Sequence, residues 1–465
     1  MTRKNPQLES YIKAARPRFE DMLAQMVEVP SISMDPRHAP DIRRTATLAR
    51  QFLKALGADA RIAETAGYPV VTGGWTTGTQ HPTVTIYNHL DVQPAQEPEW
   101  RRPPFVFQKD HGRYHGRGAT DDKGPALTAL LAARYAVEQG IPLNIQFLWE
   151  LEEEIGSPHV AAALARRGAI PRPDSVVVSD TIWIAKGRPA VPYGLRGNVT
   201  ATLSLRTGEI DAHSGVTGGA ARNPLAELSE LVSACVDSRS GRVKIPGFYD
   251  DVVAPTRAEI KSFLDSGFHV GRFMRAYRFR TLRTTDPAEV LRRIWASPTF
   301  EVHGLTGGYH GPGVKTVVPG FGELKVSMRL VPNQRPRKIF ALLRGYVARQ
   351  NPRVTVTAGG MLEPFRGVFS GPYADAVRRA VRAGFGKEPA FIREGGSIGA
   401  VATMQRAWRV PILFLGLSLP EHGYHAPNEH FDWGQASGGM RAFATYFQQL
   451  AELKSAGRVA RRRRF

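Results

Sequence analysis

The sequence predicts an α/β protein with a central, mostly parallel sheet and an inserted α+β domain. Three observations support this: helical and strand-like segments alternate before residue 192, cleanly amphipathic strands follow, and helix and strand patterns return after residue 368. A chain of 465 residues is long enough for two domains. We predict a first domain formed by residues 1–192 and 368–465, and an inserted domain formed by residues 193–367.

Helices and strands alternate along the first domain. PDIRRTATLARQFLKALGAD predicts a helix ending at Gly57, and TVTIYNHLDV predicts a buried strand that runs into a polar loop. PALTALLAARYAVEQG predicts a second helix, capped by Gly140. The alternation in NIQFLWELEEE and the β-branched run DSVVVSD predict two more strands. This order favours a sheet with parallel strands.

The predicted inserted domain has a different pattern. NVTATLSLRTG places Val199, Ala201, Leu203 and Leu205 on one face of a strand, and FGELKVSMRLVP repeats this alternation. NPLAELSELVSACV and RKIFALLRGYVARQ predict helices between and after such strands. An amphipathic sheet with helices on one face is an α+β sandwich.

Composition is that of a globular enzyme, with 42% hydrophobic and 22% charged residues. No apolar run approaches the roughly 20 residues that span a bilayer, and the N-terminus lacks the apolar core of a signal peptide. The single cysteine, Cys235, cannot form an internal disulfide, and we expect it in the core of a helix. We therefore expect a cytoplasmic protein without a membrane partner.

The net charge of +20 raises the alternative of a basic nucleic-acid-binding protein built on a decayed enzyme fold. Most of this charge is arginine scattered along the whole chain. The one dense run, RVARRRRF at the C-terminus, is typical of a disordered tail. We expect no specific nucleic-acid partner. Salt-dependent retention on DNA would distinguish the two interpretations.

Polar residues stand where predicted strands end or where a loop precedes a helix. In an open α/β sheet the carboxyl ends of the strands form the ligand crevice, so such residues converge from distant parts of a chain. The residues are His89, Asp91, Asp121, Asp122, Glu152, Glu153, Glu154, Asp180 and His425. Singly, each suits a plain structural role, such as a turn former, an N-cap or a solvated charge.

Carboxylates and imidazoles that converge in one crevice would repel each other without a cation. Two histidines with several carboxylates suit zinc or manganese better than calcium. Two metals sharing one carboxylate would lie about 3.5–4 Å apart and polarise both a water and a substrate carbonyl. A carboxylate beside such a site could act as a general base.

Nine motifs carry a family resemblance. NHLDVQPA, YHGRGATDDKGP, LEEEIGSP, VVSDTIW, GLRGN, DAHSG, RLVPNQ, REGGSI and YHAPNEH occur in the order found in the carnosinase and cytosolic non-specific dipeptidase family of dinuclear metallopeptidases. The sequence also resembles the wider group of aminoacylase, acetylornithine deacetylase and succinyl-diaminopimelate desuccinylase. The resemblance implies a zinc-peptidase-like catalytic domain and a ferredoxin-like sandwich that forms a lid and mediates dimerisation.

The resemblance also implies a set of metal ligands. His89 and Asp180 would bind one metal ion, Glu154 and His425 would bind the other, and Asp121 would bridge them. We expect two divalent ions per chain, zinc first, with manganese or cobalt as alternatives.

Further residues match positions that act beside the metals. Glu153 would be the general base, and Asp91 would hydrogen-bond His89 and fix its tautomer. Ile155-Gly156-Ser157 matches the Glu-Glu-x-Gly-Ser pattern of the family, and this resemblance implies that Glu152 is the extra residue of the triple glutamate. Asp122 stands where many relatives carry Asn and adds a negative charge near the site.

The remaining matches concern substrate. His213 would reach into the site of a partner subunit and stabilise the developing oxyanion. Arg329 would grip the terminal carboxylate of the substrate, and Thr316 and Ser397 would contact it. Gly395 and Gly396 are further substrate-contact candidates, although they could equally form a turn that opens a helix.

We therefore expect a homodimeric metallopeptidase that hydrolyses dipeptides or similarly short amide substrates with a free carboxylate. The alternative is the same dinuclear site acting on an N-acyl or N-carbamoyl amino acid. A lid pocket without a partner for a free amine would favour that deacylase.

Overall fold

Strands and helices alternate through most of the chain, as a computed structural model shows for residues 5–166 and 170–462. The helices are α1 (Pro6–Val27), α2 (Ala39–Ala55), α3 (Gly124–Glu138), α4 (Val160–Ala165), α5 (Ser214–Thr217), α6 (Pro224–Cys235), α7 (Arg257–Asp265), α8 (Val270–Ala276), α9 (Pro287–Ala296), α10 (Pro336–Gln350), α11 (Pro372–Phe385), α12 (Gly399–Trp408) and α13 (Trp433–Arg462). The strands are β1 (Asp59–Ala63), β2 (Val70–Trp75), β3 (Thr83–His89), β4 (Gln108–Asp110), β5 (Arg113–His115), β6 (Asn144–Glu150), β7 (Ser175–Val178), β8 (Ala190–Leu195), β9 (Gly197–Arg206), β10 (Ala212–His213), β11 (Glu301–Gly307), β12 (Val317–Val318), β13 (Phe321–Leu330), β14 (Thr355–Leu362), β15 (Phe365–Arg366), β16 (Ala390–Glu394), β17 (Ile412–Phe414) and β18 (His430–Asp432).

The central sheet has the strand order β1-β2-β6-β3-β7-β17. Strand β3 runs parallel to β6 and β7, and β17 runs parallel to β7, whereas β1 and β2 form an antiparallel edge. All four residues of β7 are buried, as expected for a parallel strand covered by helices on both faces. The predicted fold class, a mostly parallel α/β sheet with a second α+β unit, is confirmed.

A second sheet, antiparallel and ordered β11-β13-β9-β14, supplies the α+β unit. Residues along β9 are alternately buried and partly exposed, which confirms the predicted two-residue period. The buried face packs with apolar residues of α6 and α10, among them Leu228 and Leu343. Cys235 lies in this core, where burial raises the pKa of its thiol to about 12, as suits a structural residue.

Strand pairing and helix packing near the boundaries between the two units differ from what the sequence pattern indicates. Strand β8 pairs with β15 and β16 rather than with the second sheet. Helices α7 and α9 pack against β16, and the rings of Phe263 and Trp295 lie 5.2 Å apart within the core of the first domain. The division at residues 193 and 367 stays a prediction. Sheet membership suggests borders after Leu195 and before Phe365.

Helix α13 closes the chain and packs against α3 and α11. It covers the start of the basic C-terminal run, and the last three residues of that run lie outside the described residues. Within residues 5–166 and 170–462, no helix combines the length and the apolar character needed to cross a bilayer.

Candidate metal centre

Three neighbouring strands deliver polar side chains to one edge of the central sheet. β3 ends at His89, which is in register with Glu150 at the end of β6. A short 3-10 turn, Glu153–Ile155, follows β6, and Asp180 follows the last residue of β7 by two positions. Because β3, β6 and β7 are parallel, the side chains that follow them meet at the same edge.

Two further side chains reach this edge from loops. Asp121 lies in the turn Ala119–Lys123 directly before α3, where its backbone and that of Asp122 are not helical, and the peptide bond between these two residues is cis. His425 lies between a 3-10 turn and β18 and has a φ of 53°. Non-glycine residues in this left-handed region are uncommon and concentrate at functional sites, which suits a side chain aimed at a cluster.

The five predicted ligands form two triplets that share Asp121. His89 Nε2 lies 2.9 Å from Asp121 Oδ1 and 3.9 Å from Asp180 Oδ2. His425 Nε2 lies 2.9 Å from Asp121 Oδ2 and 3.3 Å from Glu154 Oε2. Within each triplet the possible ligand atoms lie within 4.8 Å of one another. This spacing suits one cation per triplet.

One carboxylate oxygen of these triplets supports a cation-binding role. Glu154 Oε1 is buried and has no hydrogen-bond partner among the described residues. A buried oxygen without a partner is costly, and a cation would relieve that cost. Imidazole nitrogens and carboxylate oxygens are ligands that suit zinc and manganese.

The electrostatics of the cluster also suit bound cations. Burial raises the pKa of Glu153 well above its usual range and that of Asp180 to about 6. Burial opposes the charged form of His425, but the carboxylates of Asp121 and Glu154 outweigh it and raise the pKa of the imidazole to about 11. These directions reflect carboxylates crowded in a buried cluster, an arrangement that divalent cations would stabilise.

Asp91 supports both the histidine and the glutamates. Its carboxylate accepts hydrogen bonds from the backbone N–H groups of Glu153 and Glu154, at 3.2 and 3.0 Å. His89 Nδ1 lies 3.1 Å from the backbone oxygen of Asp91 and 3.4 Å from its carboxylate. Asp91 therefore orients the His89 ring chiefly through its main chain, and it also holds the turn that carries the two glutamates.

The side chains of the three consecutive glutamates have different neighbours. Glu152 accepts a hydrogen bond from Tyr68 N at 2.8 Å and pairs with His159 Nδ1 at 2.9 Å. Glu154 belongs to a metal triplet, whereas Glu153 belongs to neither triplet. This geometry agrees with the register predicted from the residues that follow the glutamates.

Some residues at the site were not predicted. The hydroxyl of Tyr424 donates a hydrogen bond to Asp180, and Gln93 Nε2 donates to Glu154 Oε2 at 2.6 Å. Asn88 was not predicted either: its Nδ2 donates a hydrogen bond at 2.7 Å to Asp122, the carboxylate expected near the site, which is buried and whose pKa burial raises well above its usual range. Tyr424 and Asn88 adjoin predicted ligands in sequence, and this adjacency was the available signal.

Four of the predicted substrate residues meet around Arg196. Arg329 Nη1 donates a hydrogen bond to Ser397 Oγ at 3.0 Å, and the Ser397 hydroxyl donates to the carbonyl of Arg196. The carbonyls of Gly395 and Gly396 accept from Arg196, at 3.1 and 3.0 Å. A Cβ on Gly395 would lie 2.9 Å from Arg196 Nη2 and 3.1 Å from the backbone oxygen of Ile294, so a side chain here would require the guanidinium to shift.

His213 ends β10 and Thr316 directly precedes β12, and these two short strands pair with each other. Ser214 N donates to the carbonyl of Thr316 at 3.0 Å, and His213 Nδ1 accepts from Gly215 N at 2.9 Å. Both predicted residues are exposed. Across the described part of one chain, no hydrogen bond or ion pair joins either of them to the metal triplets.

Comparison with characterised proteins adds two relatives of nearly the same length. The chain is 30% identical to the Beta-Ala-His dipeptidase of Homo sapiens, over 95% of this chain and 92% of the relative. It is also 30% identical to a Cys-Gly metallodipeptidase of Schizosaccharomyces pombe, over 96% of this chain and 98% of the relative. These similarities confirm the predicted family resemblance.

A solved structure agrees with them. The M20 family metallo-carboxypeptidase Sso-CP2 from Sulfolobus solfataricus superposes with a TM-score of 0.86 at 28% identity, covering 97% of this chain and 100% of that chain. The predicted enzyme class, a metallopeptidase, is thereby confirmed. The family model for peptidase family M20/M25/M40 matches residues 85–449, which include every residue of both metal triplets. The chain belongs to peptidase family M20/M25/M40.

Proposed function

We propose that this chain hydrolyses the amide bond of dipeptides, or of similarly short substrates with a free carboxylate, with two divalent metal ions bound per chain. The observation that carries the proposal is the pair of ligand triplets that share Asp121. His89 and Asp180 would complete one site, and Glu154 and His425 the other. The dipeptidase activities named for the two similar relatives support the substrate class.

The metal ions and the protein would have different tasks in the reaction. Two bound cations would polarise the substrate carbonyl and lower the pKa of the attacking water. Glu153 takes a proton from that water at its carboxylate and delivers it to the nitrogen of the leaving amine. Its burial and its raised pKa suit a group that must hold a proton between these two steps.

Substrate orientation falls to residues around the second sheet. Arg329 lies beside Ser397 and presents a guanidinium that suits a substrate carboxylate, while Gly395 and Gly396 shape the adjoining loop. In one chain His213 and Thr316 are exposed and do not contact the metal triplets. We propose that they act in a homodimer, where His213 of a second copy would stabilise the oxyanion.

Metal content and substrate range test this proposal together. Protein loaded with zinc, manganese or cobalt should bind close to two ions per chain by mass spectrometry of the metal, and chelation should abolish activity. We expect zinc to be the native ion. A chain that holds one ion or none after reconstitution would contradict the dinuclear site.

A substrate panel decides between the two amide classes. Dipeptides with free termini should be hydrolysed faster than N-acyl or N-carbamoyl amino acids that share the C-terminal residue. The reverse order would favour the deacylase alternative. If the loaded chain cleaves neither class but is retained on DNA in a salt-dependent way, the nucleic-acid alternative gains support.

A further inference from the structure

Glu429 is a buried carboxylate that holds the loop carrying Asp121. Its Oε1 accepts hydrogen bonds from the backbone N–H groups of Thr120 and Asp121, at 2.9 and 3.0 Å. Its Oε2 accepts from Gly118 N at 2.9 Å and from Arg117 Nη1 at 2.8 Å. Glu429 and Arg117 are 0% and 1% exposed, so this network is sealed from solvent.

This arrangement meets a specific need of the loop. The N–H groups just before a helix have no partner within the helix, and successive N–H groups in a turn form a concavity that binds an anion. Here the anion is a side chain from more than 300 residues further along the chain. The Arg117 guanidinium balances its charge, because a buried carboxylate without a partner would be costly.

The Glu429 network constrains Asp121, the candidate ligand that both triplets share. The two oxygens of Asp121 must each approach a different histidine, and both distances are 2.9 Å. Because Glu429 fixes the backbone nitrogen of Asp121, a shift of that anchor would move both oxygens together. His425, one of the two histidines, stands four residues before Glu429 on the same segment.

The opposite side of the loop is also anchored. Lys123 is buried, and its Nζ donates to the carbonyls of Met26 and Val29 at 2.9 and 3.2 Å, at the end of α1. The Glu429 carbonyl additionally accepts from Gly116 N at 3.1 Å. Thr120 also bonds this segment, through Ser418 and His422. Of the groups that join the loop to the segment supplying His425, Glu429 is the one that binds the backbone N–H of Asp121 itself.

We propose that Glu429 is a positioning residue that sets the geometry of the shared metal ligand, and so controls metal affinity and turnover without touching metal or substrate. This inference rests on the proposed function, in which Asp121 bridges two ions. Nothing in the sequence pattern singled out Glu429, since it follows His425 in a motif whose histidine accounts for the metal site.

Glu429→Gln is the most direct test. The amide keeps one oxygen for two of the N–H groups but places an NH₂ against the remaining donors, so the loop should shift. We expect affinity for zinc, titrated into the apo protein, to fall by about 10- to 100-fold. At fixed metal, kcat should fall while KM changes little, and excess zinc should partly restore kcat. A purely structural role would lower the melting temperature without this rescue.

The matched control is Glu421→Gln, an exposed glutamate on the same C-terminal segment, which should retain wild-type metal affinity and kcat. Wild-type protein that lacks two ions or dipeptidase activity would refute the proposed function before this inference is reached. Where the wild type shows both, a folded Glu429→Gln variant with unchanged metal affinity and kcat would overturn the role of Glu429.

A second variant covers the case in which Glu429→Gln does not fold. Arg117→Lys keeps the buried charge but loses the fixed guanidinium contact to Glu429 Oε2. It should weaken zinc binding in the same direction, by up to roughly 10-fold. Unchanged zinc affinity in a folded Arg117→Lys variant would likewise overturn the proposal.

Discussion

The metal triplets and the β10–β12 region represent two kinds of functional surface in one chain. His89 and Asp121 are 1% and 3% exposed, and hydrogen bonds from the surrounding chain hold the cluster in place. His213 and Thr316 are exposed, and their hydrogen bonds run only to residues in and beside β10, β12 and α5 among those that the structure describes. All five candidate ligands of the metal triplets come from one chain. His213 and Thr316, in contrast, contact none of these ligands within one chain. Metal binding and full turnover should therefore be separable.

The largest expected effect concerns the region of the metal triplets. Glu153→Gln should retain two metal ions, because Glu153 belongs to neither ligand triplet. It should lower kcat by about 10²- to 10⁴-fold, the usual contribution of a general base. Metal content and steady-state kinetics on a dipeptide measure both quantities on the same preparation.

Its neighbour provides the control. Glu152→Gln changes an adjacent carboxylate that contacts Tyr68 and His159 instead of the cluster, and it should keep kcat near the wild-type value. If Glu153→Gln turns over at the wild-type rate, or if it loses a metal ion, Glu153 is not the base assigned here.

The next effect concerns the β10–β12 region. His213→Ala should still bind two metal ions, but kcat should fall by about 10²- to 10³-fold, as when one oxyanion donor is removed. A mixed dimer of His213→Ala and Glu153→Gln chains should regain part of the activity, because one of its two sites combines an intact base with an intact histidine. Kinetics on coexpressed, separately tagged chains measures this rescue.

A second histidine controls for local folding. His269 is also exposed and accepts a hydrogen bond from the backbone N–H two residues later, at 3.1 Å, much as His213 does. His269→Ala should therefore leave kcat unchanged. Equal losses in both variants, or no rescue in the mixed dimer, would mean that His213 acts only within its own loop.

The sequence predicted best those features that depend on local pattern. His89 and Asp180 stand at or just after strand ends, where the sequence pattern placed them. The register of Glu153 and Glu154 came instead from the family resemblance of the residues that follow them. The packing of α7 and α9 against β16 was not predicted. Amphipathic periodicity shows which face of a helix is buried, but not which sheet that face packs against.

The residues that hold the metal ligands in place were not predicted, for the same reason. Glu429 binds the Asp121 loop from a distant part of the chain, and Tyr424 does the same for Asp180. A single charged residue after a histidine carries no periodic pattern. Its partner is set only when β18 pairs with β5 and brings the C-terminal segment beside the loop.

The smallest expected effect concerns the orientation of the substrate by Arg329. Arg329→Lys keeps the positive charge but loses the planar fork that matches a carboxylate. For a dipeptide, kcat/KM should fall by about 10- to 100-fold, mainly through KM, in line with the loss of a hydrogen bond to a charged group. The matching dipeptide amide lacks that carboxylate and should be hydrolysed equally by both proteins. Equal losses on the two substrates would instead show that Arg329 acts by holding Ser397 in place.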